Sequence, residues 1–224
     1  MDPREAGGID ARRHWYYRAK ARLVIEFFDA RGAISEVVDV GAGSGFFSEE
    51  LARHAPGTRL TTVDAAYESE DGRRRKTMPP QIGPGALVLM MDVLEHVEDD
   101  GELLRTVLAR CSRPCSLFIT VPALPALWSA HDEFLGHKRR YTLTSLEALA
   151  HAAGLSVERS YYYFGLLLPV AWLKRKLAPA RGSELSVQPR WLDWALSTAC
   201  RLEHPFRAFN RAAGLTCVLE ARLP

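Results

Sequence analysis

Apolar and β-branched residues occur along the chain in two patterns, short uninterrupted runs and helical spacings. An uninterrupted run is typical of a parallel strand that is covered on both faces. Four such runs predict strands at 36–40, 59–63, 86–91 and 116–121. Apolar residues recur every three or four positions at 46–54 and 98–110, which predicts crossover helices. The alternation of strand and helix predicts an α/β fold.

A further helix is predicted before the first strand, over residues 11–31, and Gly32 ends it. Its apolar stripe recurs at every fourth position and consists of Trp15, Ala19, Leu23 and Phe27. Its basic residues occupy other positions and are Arg12, Arg18, Lys20 and Arg22. We therefore expect the basic side chains to lie on other faces of the helix than the apolar stripe.

The C-terminal half contributes two more strands, at 156–163 and 216–222. A helix is predicted over 145–153, with Thr144 as its N-cap and Glu147 as the capping-box partner. A second helix is predicted over 191–203. One stripe of that second helix consists of Trp194, Ala195, Thr198 and Leu202.

Residues 65–84 depart from the strand and helix alternation. They contain a charged run, 68–76, followed by closely spaced prolines and glycines. This leaves too few residues for a complete helix, strand and helix. We expect the third strand to be shortened or absent, and we expect the arginines at 73–75 to lie in a solvated loop.

The turn after the first strand has the sequence Asp39-Val40-Gly41-Ala42-Gly43-Ser44-Gly45-Phe46. Glycine permits positive φ and leaves no Cβ between the main chain and a ligand. A dinucleotide fingerprint requires G-x-G-x-x-G, and Phe46 stands where its third glycine belongs. Asp39 would repel a pyrophosphate but can accept hydrogen bonds from an ammonium group or from amides.

This turn resembles the first motif of class I S-adenosylmethionine-dependent methyltransferases. The blocks Thr62-Val63-Asp64 and Met91-Asp92-Val93-Leu94-Glu95-His96-Val97 resemble two later motifs of that family, in the same order. The resemblance implies a Rossmann-like three-layer sandwich with a mostly parallel sheet, an antiparallel last strand, an N-terminal helix and a C-terminal helical lid.

The resemblance also implies S-adenosylmethionine as the cofactor. Its methionine part would lie on the glycine turn, its ribose hydroxyls on Asp64, and its carboxylate near Arg18. The residues that we expect to contact the cofactor are Arg18, Asp39, Gly41, Ala42, Gly43, Gly45, Asp64, Ala65, Met91 and Asp92. A solvated Arg18 that contacts nothing bound is the alternative.

The segment from Trp128 to Tyr141 follows a strand of the sheet and is rich in histidine, arginine and aromatic residues. Methyl transfer requires alignment and removal of a proton from the acceptor. His131 or His137 can accept that proton, and we expect the acceptor to contact Trp128, Arg140 and Tyr141. In the alternative, Asp132 and His137 hold the loop together, and Arg139 and Arg140 cap the next helix or face water.

A divalent-cation site is a second hypothesis, because related enzymes of quinone synthesis use residues such as Asp92, Glu95 and His96 to bind a divalent cation. The segment lacks the further carboxylate that a hard cation prefers, so we predict no metal site. In another alternative, His96 only connects a loop carbonyl to the following helix.

Composition narrows the function classes. The 224 residues carry a net charge of +2, which disfavours a broad nucleic-acid-binding face. Cys111, Cys115, Cys200 and Cys217 lack C-x-x-C spacing, as expected of reduced thiols in a cytoplasmic protein. The N-terminus has no apolar signal segment, and the apolar run at 164–173 is too short to span a bilayer.

We predict one methyltransferase domain with an N-terminal capping helix (1–33), a cofactor-binding core (34–160), a helical lid (161–214) and a closing strand (215–224). Residues 164–176 combine apolar, aromatic and basic positions; we favour a lid over the acceptor, and an interfacial helix in peripheral contact with a membrane is the alternative. The predicted reaction is methyl transfer to an oxygen or nitrogen of a small or amphiphilic acceptor. An inactive cofactor-binding scaffold and a nicotinamide-dependent oxidoreductase are the alternatives. The sequence leaves the oligomeric state open.

Overall fold

A seven-stranded sheet forms the centre of the computed structural model, which describes residues 10–177 and 189–224, without the side chains of 174–177. The strands are β1 (Glu36–Val40), β2 (Arg59–Val63), β3 (Arg74–Arg75), β4 (Leu87–Met91), β5 (Cys115–Pro122), β6 (Ser156–Tyr163) and β7 (Thr216–Leu223). Their spatial order is β3-β2-β1-β4-β5-β7-β6. β7 runs antiparallel to both of its neighbours, and the other pairings are parallel. The predicted fold class is therefore confirmed.

Seven helices flank the sheet in the described part of the chain. They are α1 (Trp15–Asp29), α2 (Phe46–His54), α3 (Asp100–Leu108), α4 (Ala130–Leu135), α5 (Leu143–Ala152), α6 (Leu168–Leu177) and α7 (Arg190–Glu203). One face of the sheet packs against α3 and α5, where Leu104 and Leu146 are buried. The other face packs against α1, α2 and α7, where Phe27, Leu51 and Cys200 are buried. Buried apolar residues on both faces explain why β1 and β4 are buried along their whole length.

The third strand is reduced to two residues, as predicted. Arg74 and Arg75 pair with Thr62 and Val63 at the edge of the sheet. The arginines thus form an edge strand rather than the expected loop, although both side chains remain partly or fully exposed.

The start of α5 differs from the prediction. The N-cap is Thr142 rather than Thr144, because the Thr142 side chain accepts a hydrogen bond from the Ser145 amide and the Ser145 side chain completes the capping box. Glu147 serves elsewhere, since its carboxylate accepts hydrogen bonds from Ser160 and Arg211.

Two helix faces also differ from expectation. Lys20 is fully buried on the sheet side of α1, whereas the sequence pattern placed it on another face than the apolar stripe. On α7, the stripe that contains Trp194 and Leu202 faces outward, and Leu196 and Cys200 face the core.

Among the described residues, no helix combines the length and the apolar character needed to cross a bilayer. The proposed division into four segments stays a prediction.

Candidate active site

A cavity of about 1060 Å³ lies at the carboxyl ends of β1, β2, β4 and β5. The last residues of these strands line it: Val40, Val63, Met91 and Pro122. Ligands of open α/β sheets bind at this edge, because loops and helix N-termini converge there. α1, α6 and α7 contribute the opposite wall, through residues that include Tyr16, Ala171 and Leu196.

The glycine turn between β1 and α2 is tied to β2. The amides of Gly41 and Ala42 donate to the Val63 carbonyl, at 2.7 and 3.1 Å. Gly41 has φ of 68°, and a Cβ at this position would lie 2.6 Å from Cγ2 of Val93. A side chain at position 41 is therefore excluded by both conformation and space. Gly41 and Gly43 line the cavity, whereas Ala42 and Gly45 shape the turn without lining it.

Asp64 follows β2 and lies on the cavity wall with Ala65. Its Oδ2 accepts a hydrogen bond from the Gly43 amide at 2.7 Å, and its Oδ1 accepts one from the Ala66 amide at 2.9 Å. A carboxylate has about four acceptor positions, so each oxygen can accept a second hydrogen bond. The arrangement fixes two acceptor oxygens beside the glycine turn.

Asp39 is buried below the turn and does not line the cavity. Its Oδ2 accepts a hydrogen bond from Ser48 at 2.6 Å, and its Oδ1 has no hydrogen-bond partner among the described residues. Burial raises the pKa of Asp39 to about 6. Asp39 therefore supports the turn from below, whereas the sequence placed it among the residues that contact the cofactor.

Asp92, at the end of β4, lies on the cavity wall with φ of 57° and is held by three side chains. The Lys20 ammonium forms an ion pair with Oδ2, Thr120 donates to Oδ1 at 3.0 Å, and Tyr16 donates to Oδ2 at 3.3 Å. Burial raises the pKa of Asp92, but the charge and hydrogen bond of Lys20 outweigh this effect, so the pKa lies below its ordinary value.

Lys20 was missed as a site residue. The available signal was its spacing, because Lys20 follows Tyr16 by one helical turn and the two residues therefore share a face.

Arg18 does not reach the cavity. It donates to the Ser197 hydroxyl and forms an ion pair with Asp193 at 3.6 Å, so it connects α1 to α7. Asp193 also accepts a hydrogen bond from the Trp15 amide at 2.9 Å. Arg18 therefore has its partners on α7 in this conformation, and its contact with the cofactor stays a prediction.

His131, His137 and Arg140 line the cavity on the side of α4. The fully buried Asp132 accepts hydrogen bonds from His137 Nδ1 at 2.9 Å and from Arg140 Nε at 2.7 Å. Burial raises the pKa of Asp132, but these two partners outweigh it and hold the pKa well below its ordinary value. Arg140 also donates to the Ala123 carbonyl at 2.9 Å, so its guanidinium is held within the protein.

The Asp132 contact fixes the tautomer of neutral His137. An ionised carboxylate only accepts hydrogen bonds, so Nδ1 of His137 carries the proton. Nε2 then has the lone pair, as in catalytic histidines that a carboxylate orients.

Trp128 and Tyr141 lie outside the cavity, contrary to expectation. The main chain of Tyr141 forms an isolated β-bridge with Ala123, which follows β5, and the Tyr141 ring lies in the core. The Tyr141 hydroxyl donates a hydrogen bond to Asp100 at 2.6 Å. Trp128 is 41% exposed and ends a short 3₁₀ helix, Pro125–Leu127. Neither ring is placed to contact an acceptor in the cavity.

Glu95, His96 and His137 form the candidate metal cluster in the described part of the chain. Each offers one ligand atom, and these atoms lie within 4.8 Å of one another. Asp92 does not belong to this group, and its carboxylate is paired with Lys20. One carboxylate and two imidazoles suit Zn²⁺ better than Mg²⁺, which prefers oxygen ligands.

The comparisons with known proteins agree with this geometry. A family model described as a methyltransferase domain matches residues 12–160. The ubiquinone biosynthesis O-methyltransferase of Caulobacter sp. (strain K31) is 36% identical over 100 residues, which cover 37% of this chain and 38% of that protein. The protein of the same name from Caulobacter vibrioides (strain ATCC 19089 / CIP 103742 / CB 15) is 34% identical over 87 residues, 31% of this chain and 34% of that protein. The chain thus matches little more than a third of the length of these curated relatives.

Solved structures share the fold. A SAM-dependent methyltransferase from Archaeoglobus fulgidus aligns with a TM-score of 0.52 at 16% identity, covering 91% of each chain. The plantazolicin methyltransferase BamL, in complex with a triazolic desmethylPZN analog and SAH, aligns with a TM-score of 0.58 at 10% identity, covering 95% of this chain and 85% of that chain. At such identities the likeness establishes the architecture.

Proposed function

The chain belongs to the class I, S-adenosylmethionine-dependent methyltransferase family, and on that premise we propose that it transfers the cofactor's methyl group to an oxygen or nitrogen of a small or amphiphilic acceptor. One observation carries the proposal. A single cavity joins the glycine turn and Asp64 to the histidines near α4, so cofactor and acceptor can meet inside it.

The cofactor lies on the wall formed by β1, β2 and β4. Gly41 and Gly43 present a main chain without side chains to its methionine part, and Asp64 accepts hydrogen bonds from its ribose hydroxyls. Ala65, Met91 and Asp92 border it.

His137 removes the proton of the acceptor. Bound S-adenosylmethionine would supply the methyl group, its carbon–sulfur bond breaking with the electron pair passing to sulfur, and Nε2 of His137 would accept the acceptor's proton. The hydrogen bond from Nδ1 to Asp132 supports this role, because it orients the ring and stabilises the imidazolium. His131 lines the same cavity and is the alternative base.

The acceptor is amphiphilic, and oxygen is the favoured atom. The curated relatives are named ubiquinone biosynthesis O-methyltransferases, which supports oxygen as the methylated atom. The cavity continues away from the glycine turn along an apolar wall lined by Leu167, Val170, Ala171, Leu192, Leu196 and Leu215. A polar ring near His137 with an apolar arm along this wall fits the lining.

α6 covers this arm as a lid, and peripheral contact of residues 164–176 with a membrane surface is the alternative. The family match favours this account over the nicotinamide-dependent alternative, and release of S-adenosylhomocysteine distinguishes it from an inactive scaffold.

The test uses phenols that carry alkyl chains of increasing length, with mass-spectrometric detection of S-adenosylhomocysteine and of the methylated phenol. We expect kcat/KM to rise with chain length. Leu196→Gln places a polar group in the apolar wall and should reduce this dependence. Equal kcat/KM for short and long chains, or the absence of any methylated phenol, would contradict the proposed acceptor class.

A further inference from the structure

Five large apolar side chains are exposed on the outer side of α7 and of the 3₁₀ helix that follows it, His204–Phe209. They are Trp191, Trp194, Leu202, Phe206 and Phe209, with exposed fractions between 65% and 84%. We call this set the α7 surface. Single exposed apolar residues are common in monomeric proteins, but clusters of large aromatic residues mark interaction sites.

The α7 surface is not needed to hold α7 in place. The opposite side of the helix already packs on the core through Leu196 and Cys200. α7 is therefore apolar on two faces, of which the described residues cover only one.

The exposed charged side chains that α7 and the following segment contribute are arginines. Arg190, Arg201 and Arg211 are exposed, and Arg211 also pairs with Glu147 at 2.8 Å. The acidic residues of the described segment 189–214 are Asp193 and Glu203, and both are turned inward. Asp193 pairs with Arg18, and Glu203 accepts hydrogen bonds from the amides of Gly165 and Leu166. The surface thus combines exposed aromatic side chains with exposed arginines.

The cavity opens beside this surface. Val170 on α6 lines the cavity and is also 65% exposed, and Leu192 on α7 lines the same part. Leu166 and Leu173, close to Val170 along the chain, have exposed fractions of 56% and 50%. α6 and α7 thus each carry apolar residues that line the cavity, and exposed apolar residues lie on or next to both helices.

We propose that the α7 surface docks on a lipid bilayer that carries anionic headgroups. The aromatic rings enter the interfacial region, where tryptophan is favoured, and the arginines contact the headgroups. A second copy of the chain fits less well, because a symmetric contact would place the arginines of both copies against one another.

An acceptor with an apolar arm passes from the bilayer into the opening between α6 and α7. This delivery step rests on the proposed function, whereas the docking itself does not.

The test is flotation of the full chain with phosphatidylcholine vesicles, with and without phosphatidylglycerol. We expect the wild type to float with anionic vesicles and to detach as salt is raised. Trp191→Ser/Trp194→Ser and Phe206→Ser/Phe209→Ser should each weaken binding by at least about tenfold, because interfacial affinity follows the buried apolar area. Phe134→Ser, which removes an exposed aromatic residue on α4, is the matched control and should bind like the wild type.

Calorimetry with S-adenosylhomocysteine on the same variants separates this inference from the proposed function. We expect unchanged affinity in both double variants, which also shows that they fold. Absence of wild-type flotation, or equal flotation of the double variants, overturns the inference. A wild-type dimer that the double variants abolish in sedimentation, without vesicle binding, overturns it as well and assigns the surface to self-association.

Discussion

The ammonium group of Lys20 in α1 forms a buried ion pair with the carboxylate of Asp92 at the end of β4. Lys20 is fully buried, and the Thr120 hydroxyl lies 3.3 Å from its Nζ. The N-terminal helix is thereby fixed to the edge of the sheet where the cavity lies. A buried charge is tolerated only when it is paired, so each partner depends on the other.

Replacing Lys20 by Met leaves Asp92 without its counter-charge. We expect a loss of about 2–4 kcal/mol in the free energy of unfolding, toward the lower end because the Asp92 side chain is 29% exposed. Lys138→Met removes an exposed pair with Glu98 and should cost less than about 1 kcal/mol. Urea denaturation measures both variants. Lys20→Met/Asp92→Asn should recover part of the loss, and equal stabilities of the two single variants would contradict the role of the pair.

His137→Asn tests the base. We expect kcat to fall by about 10²–10⁴-fold, with the KM for S-adenosylmethionine changed little, because the residue acts on the acceptor proton. His151→Asn, an exposed histidine on α5, is the matched control. An unchanged kcat in His137→Asn, together with a large loss in His131→Asn, would transfer the role to His131.

Asp39 gives a pH dependence of stability. Burial raises its pKa to about 6, above the value of about 3.9 in an unfolded chain. Between these values the folded protein binds more protons than the unfolded chain, so stability falls as pH rises from about 4 to about 6 and then levels off.

Asp39→Asn removes this dependence. We expect the unfolding free energy of the wild type, relative to the variant, to be about 1–3 kcal/mol lower at pH 8 than at pH 4. Urea denaturation of both proteins at the two pH values measures the difference. A difference of the opposite sign would show that Asp39 is stabilised as the anion.

Zinc should inhibit methyl transfer. Glu95, His96 and His137 can bind Zn²⁺ together, and the ion would occupy the Nε2 atom that accepts the proton. Rate measurements at increasing Zn²⁺ should show inhibition that EDTA reverses, and His96→Gln should weaken it. Mg²⁺ should have little effect on the rate, because the cluster has only one carboxylate. A rate that depends on Mg²⁺ would contradict this account of the cluster.

The sequence predicts the part of the fold that is encoded locally. The run from Glu36 to Val40, the glycines at 41, 43 and 45 and the helix from Phe46 follow one another without a gap, so the strand, turn and helix are visible in the residues. The shortened β3 was predicted for the same kind of reason, since the segment after Asp64 is too short for a complete unit.

The sequence predicts poorly which side of an element meets which neighbour. Lys20 was placed by its charge, but its burial depends on Asp92, which lies far away along the chain. Arg18 was assigned to the cofactor through the family resemblance. Its partners in the structure, Ser197 and Asp193, belong to α7, whose position no local pattern gives.

In the segment from Trp128 to Tyr141, some contacts agree with the sequence analysis and others do not. Asp132 and His137 come together, as the alternative stated, but Arg140 is buried and pairs with Asp132 instead of capping a helix or facing water. Tyr141 was assigned to the acceptor as an aromatic residue next to arginines, but its bridge to Ala123 turns the ring into the core. The position of Tyr141 depends on main-chain pairing with Ala123, and a single sequence does not show which segments pair.

The central claim is that the glycine turn and Asp64 hold S-adenosylmethionine at the carboxyl edge of the sheet. Isothermal titration calorimetry of the cofactor with the wild type, Asp64→Ala and Asp71→Ala tests it most directly, because Asp71 is an exposed carboxylate of the following segment and serves as the control. We predict binding by the wild type and by Asp71→Ala with equal affinity, and affinity at least about tenfold weaker in Asp64→Ala, because two ribose hydrogen bonds to a charged acceptor are lost. Absence of wild-type binding, or equal affinity in Asp64→Ala, would contradict the claim.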